Sequence, residues 1–156
     1  GVNTYRPNQI VEEALQEGVI EELKRYKNIQ REVKHLDSRF DFKISDVSSS
    51  ESCWVEVKNV TLSRFKNIAE FPDAVTERGL KHIKELIEAK NRGFDIYLAF
   101  VIQREDCKKF RIADDIDPKY KKLLTFALKN KLKVICYDCK FLPKGIVINN
   151  KINFIK

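Results

Sequence analysis

Two short segments with alternating apolar and charged side chains constrain the fold of this chain more than any other feature. They are residues 39–42 (RFDF) and residues 54–60 (WVEVKNV), and a two-residue period of this kind is typical of β-strands. Residues 46–52 between them are polar, rich in turn formers and few enough for a hairpin connection. We therefore expect the two segments to pair as antiparallel strands.

The charged side chains of the two strands are expected to share one face of the sheet. If side chains alternate strictly, Phe40 and Phe42 point to one side. Asp41 then lies on the other side, next to Glu56 and Lys58 of the partner strand. Two ionised carboxylates in contact repel each other, so such a pair is costly without a cation.

A pair of carboxylates in this position would suit Mg²⁺ or Mn²⁺, because both cations prefer hard oxygen ligands. A metal held there would polarise a phosphoryl oxygen and acidify a bound water. Lys58 would then orient that water or offset charge that develops in the transition state. Charged residues that alternate with apolar ones are also typical of any half-exposed strand. The spacing alone therefore leaves a metal site and an ordinary strand face both open.

The charge balance favours a polyanionic partner. The chain has 156 residues, enough for one domain with a sizeable core, and 43% of them are hydrophobic, which excludes a disordered chain. Its 30 Lys and Arg residues exceed its 23 Asp and Glu residues, giving a net charge of +7. Nucleic acid is the leading candidate for such a partner, although lysine-rich proteins without one are common.

Membrane insertion and export are not indicated by the sequence. No apolar run approaches the roughly 20 residues that span a bilayer, and no signal peptide is visible, so we expect a cytoplasmic protein. The chain begins at Gly1 and contains no Met, which we interpret as processing or as an excerpt of a longer protein.

The cysteines are expected to be reduced thiols, as is usual in the cytosol. Two of them have the C-x-x-C spacing of a zinc half-site or a redox motif. The segment that contains this pair, residues 132–139, also has the pattern of a buried strand, where Cys packs as a small hydrophobic side chain. The four are Cys53, Cys107, Cys136 and Cys139.

Helical and strand patterns alternate along the chain and predict an α/β fold with a mixed central sheet flanked by helices. We expect Asn8 to cap a first helix that continues to about Tyr26 with an interruption at Gly18, and Asp73 to cap a second helix that ends near Lys90. A third helix begins at residues 117–118. The predicted strands are residues 29–33, 39–44, 54–60, 96–102 and 132–139, with a short edge strand at 145–148.

This succession resembles the core of PD-(D/E)xK nucleases, in which a helix precedes a meander of strands that carries Asp and Glu-x-Lys. Longer stretches are similar to the sugar fermentation stimulation protein family, and together they cover nearly the whole chain. They are residues 2–4 with 7–8, residues 39–42, residues 55–62 and residues 71–82, followed by residues 101–104 and 116–118.

The resemblance implies a PD-(D/E)xK, restriction-endonuclease-like fold and the binding of nucleic acid, DNA in preference to RNA. It implies a single nuclease-like domain over residues 1–156. Full-length relatives carry an N-terminal OB-fold domain, and we expect that domain to be missing from this chain.

The resemblance also assigns roles to individual residues. It implies that Asp41 and Glu56 are metal ligands and that Lys58 is the catalytic lysine. A glutamate from the first helix often completes such sites, and here we select Glu13, with Glu12 as the alternative. Either glutamate is equally typical of a solvated helix face.

A second set of candidates lies on the second helix. Arg78, Lys81 and His82 share one helical face by their spacing, and we expect that face to lie beside the metal site and to contact phosphates. An exposed face with ordinary ion pairs is the alternative. Lysine clusters at residues 119–122 and 129–133 would extend a surface that follows a phosphate backbone.

Two functional hypotheses follow. The first is a divalent-metal-dependent phosphodiesterase that acts on nucleic acid, and the intact set of Asp41, Glu56 and Lys58 favours it. The second is a non-catalytic DNA-binding module that regulates sugar-utilisation genes on a nuclease scaffold. The association of the family with DNA binding favours the second hypothesis.

Overall fold

The computed structural model describes residues 7–35, 37–46 and 51–156. In the described part of the chain, three α-helices and ten strands alternate, and one short 3-10 helix (Glu21–Leu23) follows the first α-helix. The helices are α1 (Pro7–Glu17), α2 (Glu77–Asn91) and α3 (Pro118–Lys129). The strands are β1 (Asn28–His35), β2 (Ser38–Ser45), β3 (Ser52–Val60), β4 (Leu62–Phe65), β5 (Ile68–Phe71), β6 (Asp95–Ile102), β7 (Lys109–Ile112), β8 (Lys133–Leu142), β9 (Gly145–Lys151) and β10 (Asn153–Ile155).

The central sheet is mixed, as predicted. Its strand order is β1-β2-β3-β6-β8-β9. The first three strands pair antiparallel, β3, β6 and β8 are parallel, and β9 returns antiparallel as the edge strand. Residues 47–50 of the predicted hairpin connection between β2 and β3, and residues 2–4 of the family resemblance, lie outside the described residues.

A second, smaller sheet was not predicted from the sequence. Its strand order is β10-β7-β5-β4, and each of its strands has only three or four residues. Segments this short are too brief for a two-residue alternation to stand out from the surrounding sequence.

Two apolar clusters cover opposite faces of the central sheet, and β6 shows how one strand serves both. Leu98 and Phe100 belong to the cluster beneath α2 and α3, whereas Ala99 and Val101 belong to the cluster beneath α1. This alternation follows from the two-residue period of a strand that is buried on both faces. The result is a three-layer α/β arrangement in which α2 lies across the face that carries Trp54.

A buried carboxylate joins the beginnings of α2 and α3. The side chain of Asp117, 1% exposed, accepts hydrogen bonds from the backbone N–H of Thr76 at 2.9 Å and of Tyr120 at 3.1 Å. Gly79 permits the close packing, because a Cβ at this position would lie 2.9 Å from Cε2 of Tyr120 and 2.7 Å from Cγ2 of Thr76. This joint fixes where α2 starts over the sheet.

Both predicted helix starts before α3 are wrong. α1 begins at Pro7, so Asn8 lies inside its first turn and its side chain can reach a partner outside the helix. The helix ends at Glu17 instead of continuing to Tyr26, because Gly18 adopts φ +71°, a conformation that glycine adopts without strain. α2 begins at Glu77 and is capped by Thr76, whose hydroxyl accepts from the N–H of Gly79, so Asp73 is not its cap.

The four cysteines are buried free thiols. Cys136 packs in one apolar cluster and Cys139 in the other, on opposite faces of β8, so the C-x-x-C spacing does not bring them to one metal. Among the described residues, no helix combines the length and the apolar character needed to cross a membrane.

We predict that Asp117→Ala lowers the free energy of unfolding by about 2–4 kcal/mol, because two buried N–H groups lose their acceptor. Urea denaturation measures this change. Asp114→Ala is the matched control, since Asp114 is exposed three residues earlier, and it should change stability by less than about 0.5 kcal/mol. Equal effects of the two substitutions would show that the joint does not stabilise the fold.

Candidate active site

The site forms where β2 and β3 stop pairing. The last backbone pair of the two strands joins Phe42 and Val55. One residue further, the N–H of Asp41 donates to Oε1 of Glu56 at 3.3 Å, and the N–H of Val57 donates to Oδ2 of Asp41 at 2.7 Å. Two carboxylates therefore occupy the gap that backbone hydrogen bonds would otherwise fill, and the predicted contact of Asp41 with Glu56 is present in the structure.

The same level of the sheet is irregular, and strict alternation fails there. Phe40 packs against Trp54, with ring centroids 4.9 Å apart, in the cluster beneath α2. Phe42 belongs to the opposite cluster, so the prediction that Phe40 and Phe42 share a face is wrong. Glu32, which lies between the two β1 residues paired with them, has φ +49°. β1 and β2 therefore both depart from regular alternation at the level of Asp41. At this level the carboxylate of Asp41 points into the gap between β2 and β3.

Helix α1 contributes an amide to the site. Nδ2 of Asn8 donates to Oδ1 of Asp41 at 2.8 Å. Glu13 lies on the exposed surface of α1 and does not line the cleft, because it follows Asn8 by five helical positions and points to another side of the helix. The alternative, Glu12, forms an ion pair with Arg31 at 3.1 Å. The structure therefore does not bring Glu13 together with Asp41 and Glu56.

Helix α2 places the imidazole of His82 next to both Glu56 and Lys58. Nδ1 of His82 lies 2.9 Å from Oε2 of Glu56 and also contacts Nζ of Lys58. The His82 side chain is 14% exposed and lines the cleft, so it lies within the site. Nε of Arg78 lies 3.5 Å from Nε2 of His82. The predicted helical face is thus turned toward the carboxylates.

An open cleft of about 870 Å³ contains these groups. Its walls carry both signs of charge, with the carboxylates at the β2–β3 gap and the exposed cations Arg78 and Lys81 on α2. A cleft of this kind can bring a phosphate group to the carboxylates while the cations offset its charge. The lining residues are Asn8, Glu32, Asp37, Arg39, Asp41, Glu56, Val57, Lys58, Asn59, Arg78, Lys81, His82 and Glu85.

Burial and neighbouring charges shift the protonation of the site. Burial, followed by the hydrogen bond and the charge of Glu56, raises the pKa of Asp41 from its ordinary 3.8 to about 7. Burial lowers the pKa of Lys58, and the negative charge of Glu56 opposes that change. Burial also lowers the pKa of His82 to about 4, with contributions from Lys58 and Arg78. Without a metal, Asp41 therefore retains a proton up to about pH 7, and a cation can replace it.

The carboxylates of Asp41 and Glu56 fit a divalent cation that keeps several water ligands better than a cation coordinated by protein ligands alone. Among the described residues, no group of three or more His, Cys, Asp or Glu side chains is arranged to hold a metal. Asp41 and Glu56 offer two carboxylates at an open cleft. Mg²⁺ commonly binds through one or two carboxylates and completes its coordination with water and substrate phosphates. These residues therefore fit Mg²⁺ or Mn²⁺ with solvent-filled positions.

Sequence reasoning missed two features of the site. The helical spacing of Arg78 and His82 indicated a shared face but not that His82 would reach between Glu56 and Lys58. Asn8 was interpreted as a helix cap, and no local signal connects it with Asp41, 33 residues away.

Comparison with known proteins gives consistent matches over almost the whole chain. The family described as "Sugar fermentation stimulation protein RE domain" matches residues 5–145. A sugar fermentation stimulation protein homolog of Paramagnetospirillum magneticum is 47% identical over 147 residues, which are 94% of this chain and 61% of the relative. A homolog of Clostridium kluyveri is 42% identical over 151 residues, which are 97% of this chain and 65% of the relative.

A solved structure supports the same fold. "The structure of Pyrococcus Furiosus SfsA in complex with Ca2+" matches with a TM-score of 0.83 and 26% identity, over 94% of this chain and 62% of that one. The chain thus spans between 61% and 65% of the length of the two curated relatives.

The raised pKa of Asp41 predicts a specific effect of pH on stability. The folded state holds a proton on Asp41 up to about pH 7, whereas the unfolded chain releases it near 3.8. The contribution of Asp41 to the free energy of unfolding of the metal-free protein should therefore fall as the pH rises from about 4 through 7, by at most about 1.4 kcal/mol for each step of one in pH. Asp41→Asn carries no such charge and should lose this dependence.

Urea denaturation in EDTA at pH 5 and pH 8 tests the prediction. The Asn variant should be more stable than the unmodified protein at pH 8, by on the order of 2–3 kcal/mol, and should have little advantage at pH 5. Glu13→Gln is the control, because Glu13 is exposed on α1. An Asp41→Asn effect that is equal at both pH values would contradict the assigned protonation.

Proposed function

The chain belongs to the sugar fermentation stimulation protein family, and from that premise we propose that it binds DNA and hydrolyses phosphodiester bonds with Mg²⁺ or Mn²⁺. The observation that carries this proposal is the contact of Asp41 with Glu56 in the gap between β2 and β3, with Lys58 on the same strand as Glu56. The order of elements from α1 through the β1–β3 meander to α2 and β6 supports the PD-(D/E)xK interpretation.

Each residue has a defined part in the proposed reaction. Asp41 and Glu56 would hold the cation, and Asn8 keeps Asp41 oriented through its 2.8 Å hydrogen bond. When bound, the cation supplies Lewis-acid activation of the phosphoryl group and a more acidic water. Lys58 would orient the attacking water or offset charge on the phosphoryl oxygens. Arg78 would bind a substrate phosphate at the rim of the cleft.

Similarity to a Ca²⁺ complex supports the choice of a divalent cation. The matched Pyrococcus furiosus protein was solved with Ca²⁺. Ca²⁺, Mg²⁺ and Mn²⁺ all prefer oxygen ligands, and the carboxylates of Asp41 and Glu56 provide such ligands. We propose Mg²⁺ or Mn²⁺ for catalysis because the two carboxylates leave room for water and substrate.

Positive charge on α3 supports nucleic acid as the substrate. Residues 118–137 contain six lysines and no acidic residue. Lys119, Lys122 and Lys129 are exposed and recur at helical spacing on α3. Lysines of this kind bind phosphates without reading sequence and give an affinity that falls with salt. The preference for DNA over RNA rests on the association of the family with DNA.

A non-catalytic DNA-binding or regulatory module is the second candidate, and two observations favour it. No cluster of three or more metal-ligating side chains exists among the described residues, and Glu56 already has internal partners in His82 and the N–H of Asp41. Such a module would bind DNA through the same positive surface without cleaving it.

Cleavage assays on single- and double-stranded DNA and RNA with Mg²⁺ or Mn²⁺ test the proposal. Lys58→Ala should lower the turnover number by roughly 10²–10³-fold, as loss of a transition-state donor does, and should leave the Mn²⁺ dissociation constant within about threefold by calorimetry. Lys27→Ala is the matched control, because Lys27 is exposed outside the cleft.

Full activity of Lys58→Ala would remove its proposed role. If the unmodified protein retains DNA in a salt-sensitive gel shift but cleaves none of the substrates, the binding module is the better description.

A further inference from the structure

Lys58 has an unexpected neighbour. Glu56 and Lys58 are two residues apart on β3, so their side chains leave the same face of the strand. A partly buried carboxylate and ammonium in this position would be expected to pair. None of the ion pairs among the described residues joins them, and both instead contact Nδ1 of His82.

His82 is held in this place by the helix that carries it. Ile83, the next residue of α2, is completely buried between the helix and the sheet. The hydrogen bonds of Asp117 to Thr76 and Tyr120 fix the start of the helix. Arg78 lies one turn earlier and contacts the far nitrogen of the imidazole. The backbone of His82 is therefore held over the site by the packing of α2.

We propose that His82 is a positioning residue that keeps the ammonium of Lys58 apart from the carboxylate of Glu56. With the imidazole between them, Lys58 faces the cleft and Glu56 remains available to a cation. Without it, Lys58 can reach Glu56 and compete with the metal for the same oxygens. The effect on cleavage rests on the function proposed above, whereas the separation of the two side chains can be measured without it.

A double-substitution cycle on Mn²⁺ binding distinguishes this role from simple packing. His82→Leu fills much of the space but offers no nitrogen, so it should weaken Mn²⁺ binding by about tenfold, as loss of a group that orients a metal ligand does. Adding Lys58→Ala to His82→Leu should restore the affinity, because the competing ammonium is then absent. His82→Asn should keep most of the affinity, since its amide lies near the position of Nδ1.

Amine labelling gives a second readout that needs neither metal nor cleavage. In His82→Leu, pairing with Glu56 should make Lys58 several-fold less reactive toward acetic anhydride, as followed by mass spectrometry. Lys81 is the internal control, because it is exposed in the same cleft and its reactivity should not change. Thermal denaturation of each variant establishes that it is folded, and His82→Ala, which also lacks the nitrogen, serves if His82→Leu is not.

The outcomes separate this proposal from the proposed function. Restored Mn²⁺ affinity in the double variant together with weaker Lys58 labelling in His82→Leu supports the positioning role, even if the protein cleaves nothing. Unchanged labelling of Lys58 overturns it, and so does a loss of Mn²⁺ affinity that Lys58→Ala does not restore. If the unmodified protein does not bind Mn²⁺, the metal proposal fails and the labelling result alone decides the role of His82.

Discussion

The carboxylate of Asp41 in the gap between β2 and β3 is the interaction on which the site depends. It accepts the N–H of Val57 and the amide of Asn8, so it connects both strands with α1. It also lies against Glu56, and burial raises its pKa to about 7. At low pH a proton on Asp41 removes the repulsion between the two carboxylates. When both carboxylates are ionised, a cation offsets that repulsion. The metal proposal follows from this local geometry.

The second constraint is the packing of α2 against α3, on the face of the sheet opposite α1. Asp117 joins α2 to α3, and the absence of a side chain at Gly79 lets the helices approach. Because α2 is fixed in this way, His82 reaches between Glu56 and Lys58. Packing at the start of α2 therefore determines how the charged groups within the cleft are arranged.

Strong local periodicity made the central sheet predictable from the sequence, and the antiparallel pairing of β2 with β3 made the contact of Asp41 with Glu56 predictable although strict alternation fails there. The four short strands of the second sheet were missed, because they have only three or four residues each and the pairs of β7 with β5 and with β10 join segments distant in the chain. Glu13 was selected because sequence spacing does not fix the rotation of α1 about its axis. Phe40 and Phe42 lie on opposite faces of the sheet at the point where β2 stops pairing with β3. The alternation of apolar and charged residues in the sequence does not indicate where this pairing ends.

Calorimetric titration of Mn²⁺ at about pH 6.5, in buffers of different ionisation enthalpy, tests the central claim most directly. If the cation replaces the proton that Asp41 retains, each Mn²⁺ bound should release a large fraction of one proton, and this release should approach zero by about pH 8.5. Asp41→Asn should abolish it. Mn²⁺ binding without proton release, or the same release from Asp41→Asn, would contradict a cation site at this carboxylate pair.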